Sequence, residues 1–349
     1  MEKTLTSITL RGESILASPT AVYDVALTVN ARSHDTGPAL KYLLSPEGVE
    51  RGRLDWPYVV TVGLYHAIAL TALLPWLFSW TGVGLMVAGI HVFGSLGINL
   101  CYHRLLTHRG LSCPVWVEHS LAILGVCCMQ DTPARWVAVH RRHHQYSDER
   151  DDPHSPHVNL FWGHMGWMLV RNRDLGRQEI YARFAKDILR DPFYKRLETS
   201  ALYPTIIVGS WFAFFAAGYL AALLAGQGAS HAVQFGLSLL IWGVFVRTVL
   251  VWHITWSVNS IAHRWGYRNY DTADRSRNNG IVALLAAGEG WHNNHHADPR
   301  SASHGHRWWE FDLTFLIVRG MEKAGLATSV VRPRCWGIEP AIKVGSTGD

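Results

Sequence analysis

Three features of this sequence predict an all-α membrane protein with four transmembrane helices paired as two hairpins, carrying a histidine-rich helical cap at one membrane face. Two stretches of 48 residues, 56–103 and 199–246, contain no Asp, Glu, Lys or Arg. Only 17% of the 349 residues are charged and 48% are hydrophobic, where a soluble domain carries about 25% charge. Nine of the twenty histidines fall in four groups just beyond the apolar stretches.

In chain order, residues 1–55 read as a cytosolic N-terminal arm. Met1–Ser18 includes Glu2, Arg11 and Glu13 and lacks the apolar run of a signal peptide. Residues 19–50 mix Gly, Pro and polar side chains. A bilayer crossing takes about 20 apolar residues, so each bare stretch holds two. The crossings are expected near 57–78, 82–102, 204–225 and 232–256, with short connections around Ser79–Gly82 and Gly226–Ser230. The connections carry no Lys or Arg, whereas residues 101–203 carry fourteen. The positive-inside rule therefore places both termini and the cap, 103–203 and 257–320, in the cytoplasm. Residues 321–349 form a C-terminal tail. Trp308 and Trp309 suit the bilayer interface, and 308–318 reads as an amphipathic helix on the membrane. Arg247 is a charge inside the fourth crossing, where it needs a partner or a polar boundary.

The composition excludes disorder, a disulfide scaffold and a strongly basic nucleic-acid binder, so no nucleic acid is expected as partner. The net charge is only +5, and the five cysteines form no CxxC pair, as expected of reduced thiols.

The histidine spacing carries chemistry. His140, His143 and His144 share one face of a helix, as do His292, His295 and His296, because positions i, i+3 and i+4 align. Asn259 and His263 also align. His103 and His108 stand about 140° apart on an ideal helix. They meet only if that helix ends, bends or serves two metals. Neutral imidazoles suit Fe, Zn, Cu and Ni, and nine of them exceed one centre. With no cysteine among the groups, an all-nitrogen shell points to two redox iron ions used with dioxygen. Lone histidines at His66, His91, His119, His231 and His253 read as packed or interfacial. His154, His157 and His164 read as surface or near-site residues, and His304 and His306 as supporting ones. Asp148, Glu149, Asp151, Asp152 and Glu289 are candidates to orient imidazole rings.

The stretches Gly97–His108, Trp136–His144, Asp152–His154 and Gly288–His296, with Asn259–His263 and Arg307–Asp312, resemble the membrane-bound fatty acyl desaturases, closest to the Δ9 branch of stearoyl-type and acyl-lipid enzymes. The resemblance covers residues 56–320 and implies a desaturase domain of four membrane helices under a cytosolic cap with two Fe2+ ions. By position, the metal ligands would be His103, His108, His140, His143, His144, His263, His292, His295 and His296. Asn259 would act through a bound water, and no further catalytic residue is implied. Gln130, Trp136, Thr255 and Trp256 would shape the tunnel that bends the acyl chain.

The family's implied chemistry is insertion of a cis double bond into a saturated acyl chain, with O2 as co-substrate. Two electrons would come from a separate donor such as cytochrome b5 or ferredoxin with its reductase, since no fused haem-binding His-Pro-Gly-Gly stretch is present. Acyl-CoA enzymes of animals carry Arg-Asp before the middle histidine box, where this chain has Ala138 and Val139. That leaves an acyl-lipid substrate open beside acyl-CoA. The expected location is a multi-pass membrane protein of the endoplasmic reticulum or bacterial inner membrane, in contact with membrane lipid. A histidine-rich hydroxylase is the alternative enzyme. A metal transporter would instead bury its ligands at mid-membrane.

Overall fold

The computed structural model describes residues 43–334; most of the arm and residues 335–349 of the tail lie outside them. Among the described residues the architecture is helical apart from one two-stranded clasp. Strand β1 (Val49–Leu54) pairs antiparallel with β2 (Val170–Asn172), and the Asp55 amide donates to the Leu169 carbonyl at 2.9 Å. Residues 49–54 thus pair with a strand of the cap, although the sequence reading assigns them to the arm.

Among the described residues, four helices are long and apolar enough to cross a membrane: Trp56–Leu73, Trp80–Thr107, Leu202–Leu224 and Ala229–Ser260. We name the helical core of the first α1 (Trp56–Leu70) and the second α2 (Trp80–Thr107). The first hairpin turns at Leu74–Ser79, earlier than the expected Ser79–Gly82. Leu74 is extended before Pro75, a residue pair that disfavours helix, and the Ser79 hydroxyl caps α2 by accepting from the Gly82 amide at 3.0 Å.

Between the hairpins lie α3 (Val115–Val126), α4 (Pro133–Tyr146), α5 (Arg177–Phe184) and α6 (Pro192–Thr199). The second hairpin is α7 (Leu202–Leu224) and α8 (Ala229–Ser260). The cap is completed by α9 (Gly280–Leu285), α10 (His292–Ala297) and α11 (Leu313–Lys323). Helix α11 starts later than the expected 308, because Asp312 caps it by accepting from the Phe315 amide at 2.9 Å. Trp308 precedes the helix and is 92% exposed. The chain after α11 folds back, pairing Ser112 with Thr328 and giving the Ala302 amide to the Val331 carbonyl at 2.9 Å.

The main core joins α2 to the cap through Ile98, Leu100, Tyr102, Leu105 and Leu106, all nearly inaccessible. Here α2 and α3 touch backbone to backbone: a Cβ on Gly97 would lie 2.3 Å from the Gly125 amide nitrogen. Gly97→Ala must therefore force the helices apart. Overpacking of this kind costs about 1–3 kcal/mol, so detergent-solubilised Gly97→Ala is expected to unfold at a lower temperature than the parent chain. An unchanged melting profile would contradict the contact.

Candidate metal centre

The end of α2 solves the spacing of His103 and His108. Residues Ile90–Thr107 are wound with π-type turns, in which the hydrogen bond spans i to i+5. The His108 amide donates to the His103 carbonyl at 3.1 Å. This winding stacks two residues five apart, and the ring centroids stand 4.9 Å from each other.

His263 lies in the turn just after α8, and the other six histidines sit on short helices with firm starts. Thr132 caps α4, accepting from the Arg135 amide at 3.3 Å, and Pro133 fills the first turn, where its missing N–H costs nothing. His140, His143 and His144 lie toward its end. Helix α10 is held by its two buried asparagines. Asn293 accepts from the Asn269 and Tyr270 amides at 2.8 Å each. Asn294 donates to Glu310 at 2.7 Å and to the His304 carbonyl at 2.8 Å.

All nine predicted histidines converge, in two groups. His103, His108, His140, His144 and His295 present nitrogens within 4.8 Å of one another, and so do His143, His263, His292 and His296. Each HxxHH box thus divides between the groups. His140 and His144 serve one while His143 serves the other, and His295 separates from His292 and His296 in the same way.

The supply of ring protons bears on whether metals fit. A neutral imidazole carries one proton on its two nitrogens. Glu289 accepts from His103 Nδ1 at 2.5 Å, which leaves His103 Nε2 a lone pair. His295 Nε2 lies 3.1 Å from that atom and 2.9 Å from His144 Nε2, which in turn is 3.0 Å from His140 Nε2. One proton on His295 would have to serve two directions. The Nε2 atoms of His108, His143 and His263 are buried without a hydrogen-bond partner, an arrangement that folded proteins avoid. A cation among these lone pairs satisfies them together, so the donor set fits a metal ion in each group.

Carboxylates fix the rings from behind. His143 Nδ1 donates to Asp152 at 3.0 Å, His263 Nδ1 to Asp148 at 2.9 Å and His296 Nδ1 to Asp274 at 2.7 Å. Asp148 adopts a left-handed backbone, φ 59°, and also accepts from the Arg275 amide at 2.8 Å. Burial, reinforced by neighbouring rings, holds His108, His140, His143, His144, His292 and His295 well below the usual imidazole range. They stay neutral, as ligands must be. Burial also pulls on His263, but Asp148 outweighs it and raises that ring to about 9, so a metal there would displace the Nε2 proton. Burial raises the Glu289 carboxyl, yet Arg104, followed by His304 and His103, outweighs it and holds the group well down. The buried Arg104 guanidinium donates to Glu289 at 2.7 Å and to Asp312 at 2.9 Å.

Beside both groups lies a cavity of about 290 Å³, with Gln130, Trp136, Thr255, Trp256 and Asn259 in its wall. His103 and His140 reach it from one group and His292 from the other. Gln130 donates to Thr255 Oγ1 at 3.0 Å, and Trp136 stacks on His140 with centroids 4.9 Å apart. All four residues expected to shape a tunnel line this one cavity.

One partner escapes the sequence reading, while His154 and His304 take the near-site and supporting places expected of them. Asp274 holds His296 but sits in an ordinary polar stretch that gives it no distinguishing mark. His154 is buried, 4.3 Å from the His143 ring, and burial lowers it to about 3. His304 is buried 4.4 Å from the His295 ring. Glu149 is exposed and Asp151 half-buried, and neither carboxylate is bonded to a ring of either group. His66, His253 and His164 form a chain of ring contacts at 3.0 and 2.9 Å. Loss of a partner that orients a metal-ligating ring weakens metal binding about 10–100-fold. Asp274→Asn is therefore expected to lose metal to a chelator at about that much lower concentration, and Glu149→Gln to behave as the parent does. Metal analysis after the challenge decides.

The same residues fall within a recognised family. The model of the family described as fatty acid desaturase matches residues 74–331. The sn-1 stearoyl-lipid 9-desaturase of Anabaena variabilis is 42% identical over 278 residues, covering 80% of this chain and 94% of that protein. The sn-2 palmitoyl-lipid 9-desaturase of Nostoc sp. (strain 36) is 39% identical over 289 residues, 82% of this chain and 94% of the relative. The icosanoyl-CoA 5-desaturase of Limnanthes douglasii is 38% identical over 281 residues, 80% of this chain and 73% of its own length. With a family match across most of its length and relatives this similar, the chain belongs to the fatty acid desaturase family.

Proposed function

We propose that this protein is a di-iron acyl-lipid desaturase that places a cis double bond at Δ9 of a saturated chain. The observation that carries the reading is the apolar cavity whose wall includes histidines of both groups and all four chain-shaping residues. Relatives named as lipid 9-desaturases support the position and the carrier. Ala138 and Val139, in place of a charged pair, support a lipid over a CoA head group.

Fe2+ held by His103, His108, His140, His144 and His295, and by His143, His263, His292 and His296 with a water on Asn259, would supply with dioxygen the oxidising power that no side chain has. In the overall reaction the chain loses two hydrogens. Dioxygen takes these, with two electrons and two protons, and leaves as two waters. The electrons come from a separate donor, cytochrome b5 or ferredoxin with its reductase.

The protein's own part is position. Neighbouring methylenes are chemically alike, so the site of reaction is set by how the cavity holds the chain. The Gln130–Thr255 hydrogen bond braces its wall and Trp136 lies flat against His140. Asp152, Asp148, Asp274 and Glu289 keep their ring protons on Nδ1 and so aim Nε2 at the metals. The cationic 103–203 segment supports a cytoplasmic side for the cap, the clusters and both termini, with residues 56–320 as the desaturase domain.

Expression in a host with a compatible reductase, followed by fatty acid profiling, is expected to yield new Δ9 monoenes esterified in lipid. Hydroxylated chains in their place would overturn the reading. His143→Ala is expected to abolish the product and to lower iron from about two toward one per chain, the count of centres that the two groups imply. Full activity in that variant would refute the ligand assignment.

A further inference from the structure

Arg247 is a fully buried charge within α8, and such residues are costly in a membrane span unless they do something there. Among the described residues no carboxylate pairs with it. Its Nε donates to the Gly243 carbonyl at 3.1 Å, its Nη1 donates to the Cys127 carbonyl at 3.0 Å, and its guanidinium lies 4.1 Å over the Phe93 ring. Five residues on, Trp252 Nε1 donates to the Cys128 carbonyl at 2.7 Å. Two side chains of one helix thus hold consecutive carbonyls at the end of α3, groups that the helix itself leaves unbonded and that lipid cannot satisfy.

Immediately past those carbonyls the chain becomes cavity wall. Met129, Gln130 and Asp131 all line it. Met129 and Asp131 take left-handed backbone, φ 54° and 65°, which residues other than glycine avoid unless held. Asp131 is fastened at its far side by the Tyr58 hydroxyl, which donates to it at 2.7 Å. The turn is therefore held at its start by Arg247 and Trp252 and at its end by Tyr58.

We propose that Arg247 and Trp252 are positioning residues for regiochemistry: by clamping Cys127 and Cys128 they fix the Met129–Asp131 turn, and with it the methylene that reaches the histidine groups. The inference rests on the desaturase reading. A misplacement of about 1 Å costs roughly 10²-fold in rate. A loosened turn should also spread the attack over neighbouring carbons, which a purely structural role would not do.

The test is the position of the double bond in products of Trp252→Phe, Arg247→Gln and Arg247→Lys, expressed in the same host with iron content measured. The expected result is a second positional isomer from Trp252→Phe and Arg247→Gln at unchanged iron content. Arg247→Lys, which keeps a donor for one carbonyl, should return most of the product to the parent position. Variants that slow turnover yet make only the parent isomer overturn the proposal. Trp252→Phe removes the N–H together with one ring of a side chain that also lines the cavity, so the shift must recur in Arg247→Gln, or in Arg247→Met if Arg247→Gln fails to accumulate; a shift confined to Trp252→Phe overturns the proposal. Absence of any monoene from the parent chain would instead overturn the desaturase reading, and this one with it.

Discussion

The pairing of a buried carboxylate with the far nitrogen of an imidazole is the interaction on which the rest of the structure depends. Glu289, Asp152, Asp148 and Asp274 each accept a hydrogen bond from the Nδ1–H of one histidine. That choice of tautomer turns Nε2 into a lone pair and points it inward. Without it, rings packed this closely could pair off with one another and present nothing to a cation. All four carboxylates are in turn anchored, Glu289 by Arg104, Asp148 by the Arg275 amide, Asp152 by the Asp148 and His154 amides and Asp274 by the Ser276 amide. The orientation of the rings is therefore inherited from the cap and not left to the histidines.

The same logic explains why the histidine boxes are shared. Helices α4 and α10 each supply rings to both groups, so neither group forms unless both helices are docked. Arg104 ties the end of α2 to the Glu289 loop and to Asp312, the residue that caps α11. A single buried cation thus links a membrane helix, a histidine-bearing loop and the last helix of the cap. Breaking one partner of such a buried pair costs about 3–5 kcal/mol, a large share of any protein's net stability. Docking of the cap and formation of the site are one event.

Much of this is legible in the chain. Charge-free stretches mark the crossings, because a missing Lys or Glu is itself a physical signal in a bilayer. The nine histidines are legible because they repeat at helical spacing, which gathers their rings into two groups. The four cavity residues are legible only through resemblance to a family, since Gln130 or Thr255 alone has no distinctive pattern. Asp274 is not legible: its partner His296 lies 22 positions away, and nothing local separates it from a solvated aspartate. The start of α11 is misjudged from sequence for a related reason, because two tryptophans advertise an interface whether or not they are helical. The arrangement of His103 and His108 requires knowing how many residues make a turn, which side-chain identity does not reveal.

That departure from ordinary helical pitch has an evolutionary corollary. A wide turn accommodates one residue more than a standard one, so the gap between His103 and His108 is matched to a particular winding number. Inserting a residue there would break the match, and deleting one, even a bland Leu105 or Leu106, would keep the rings together only if the backbone tightened to the common pitch at the same time. The hairpin tips carry no such phase requirement. Length variation among chains of this architecture should accordingly accumulate at the tips and be nearly absent between the two rings.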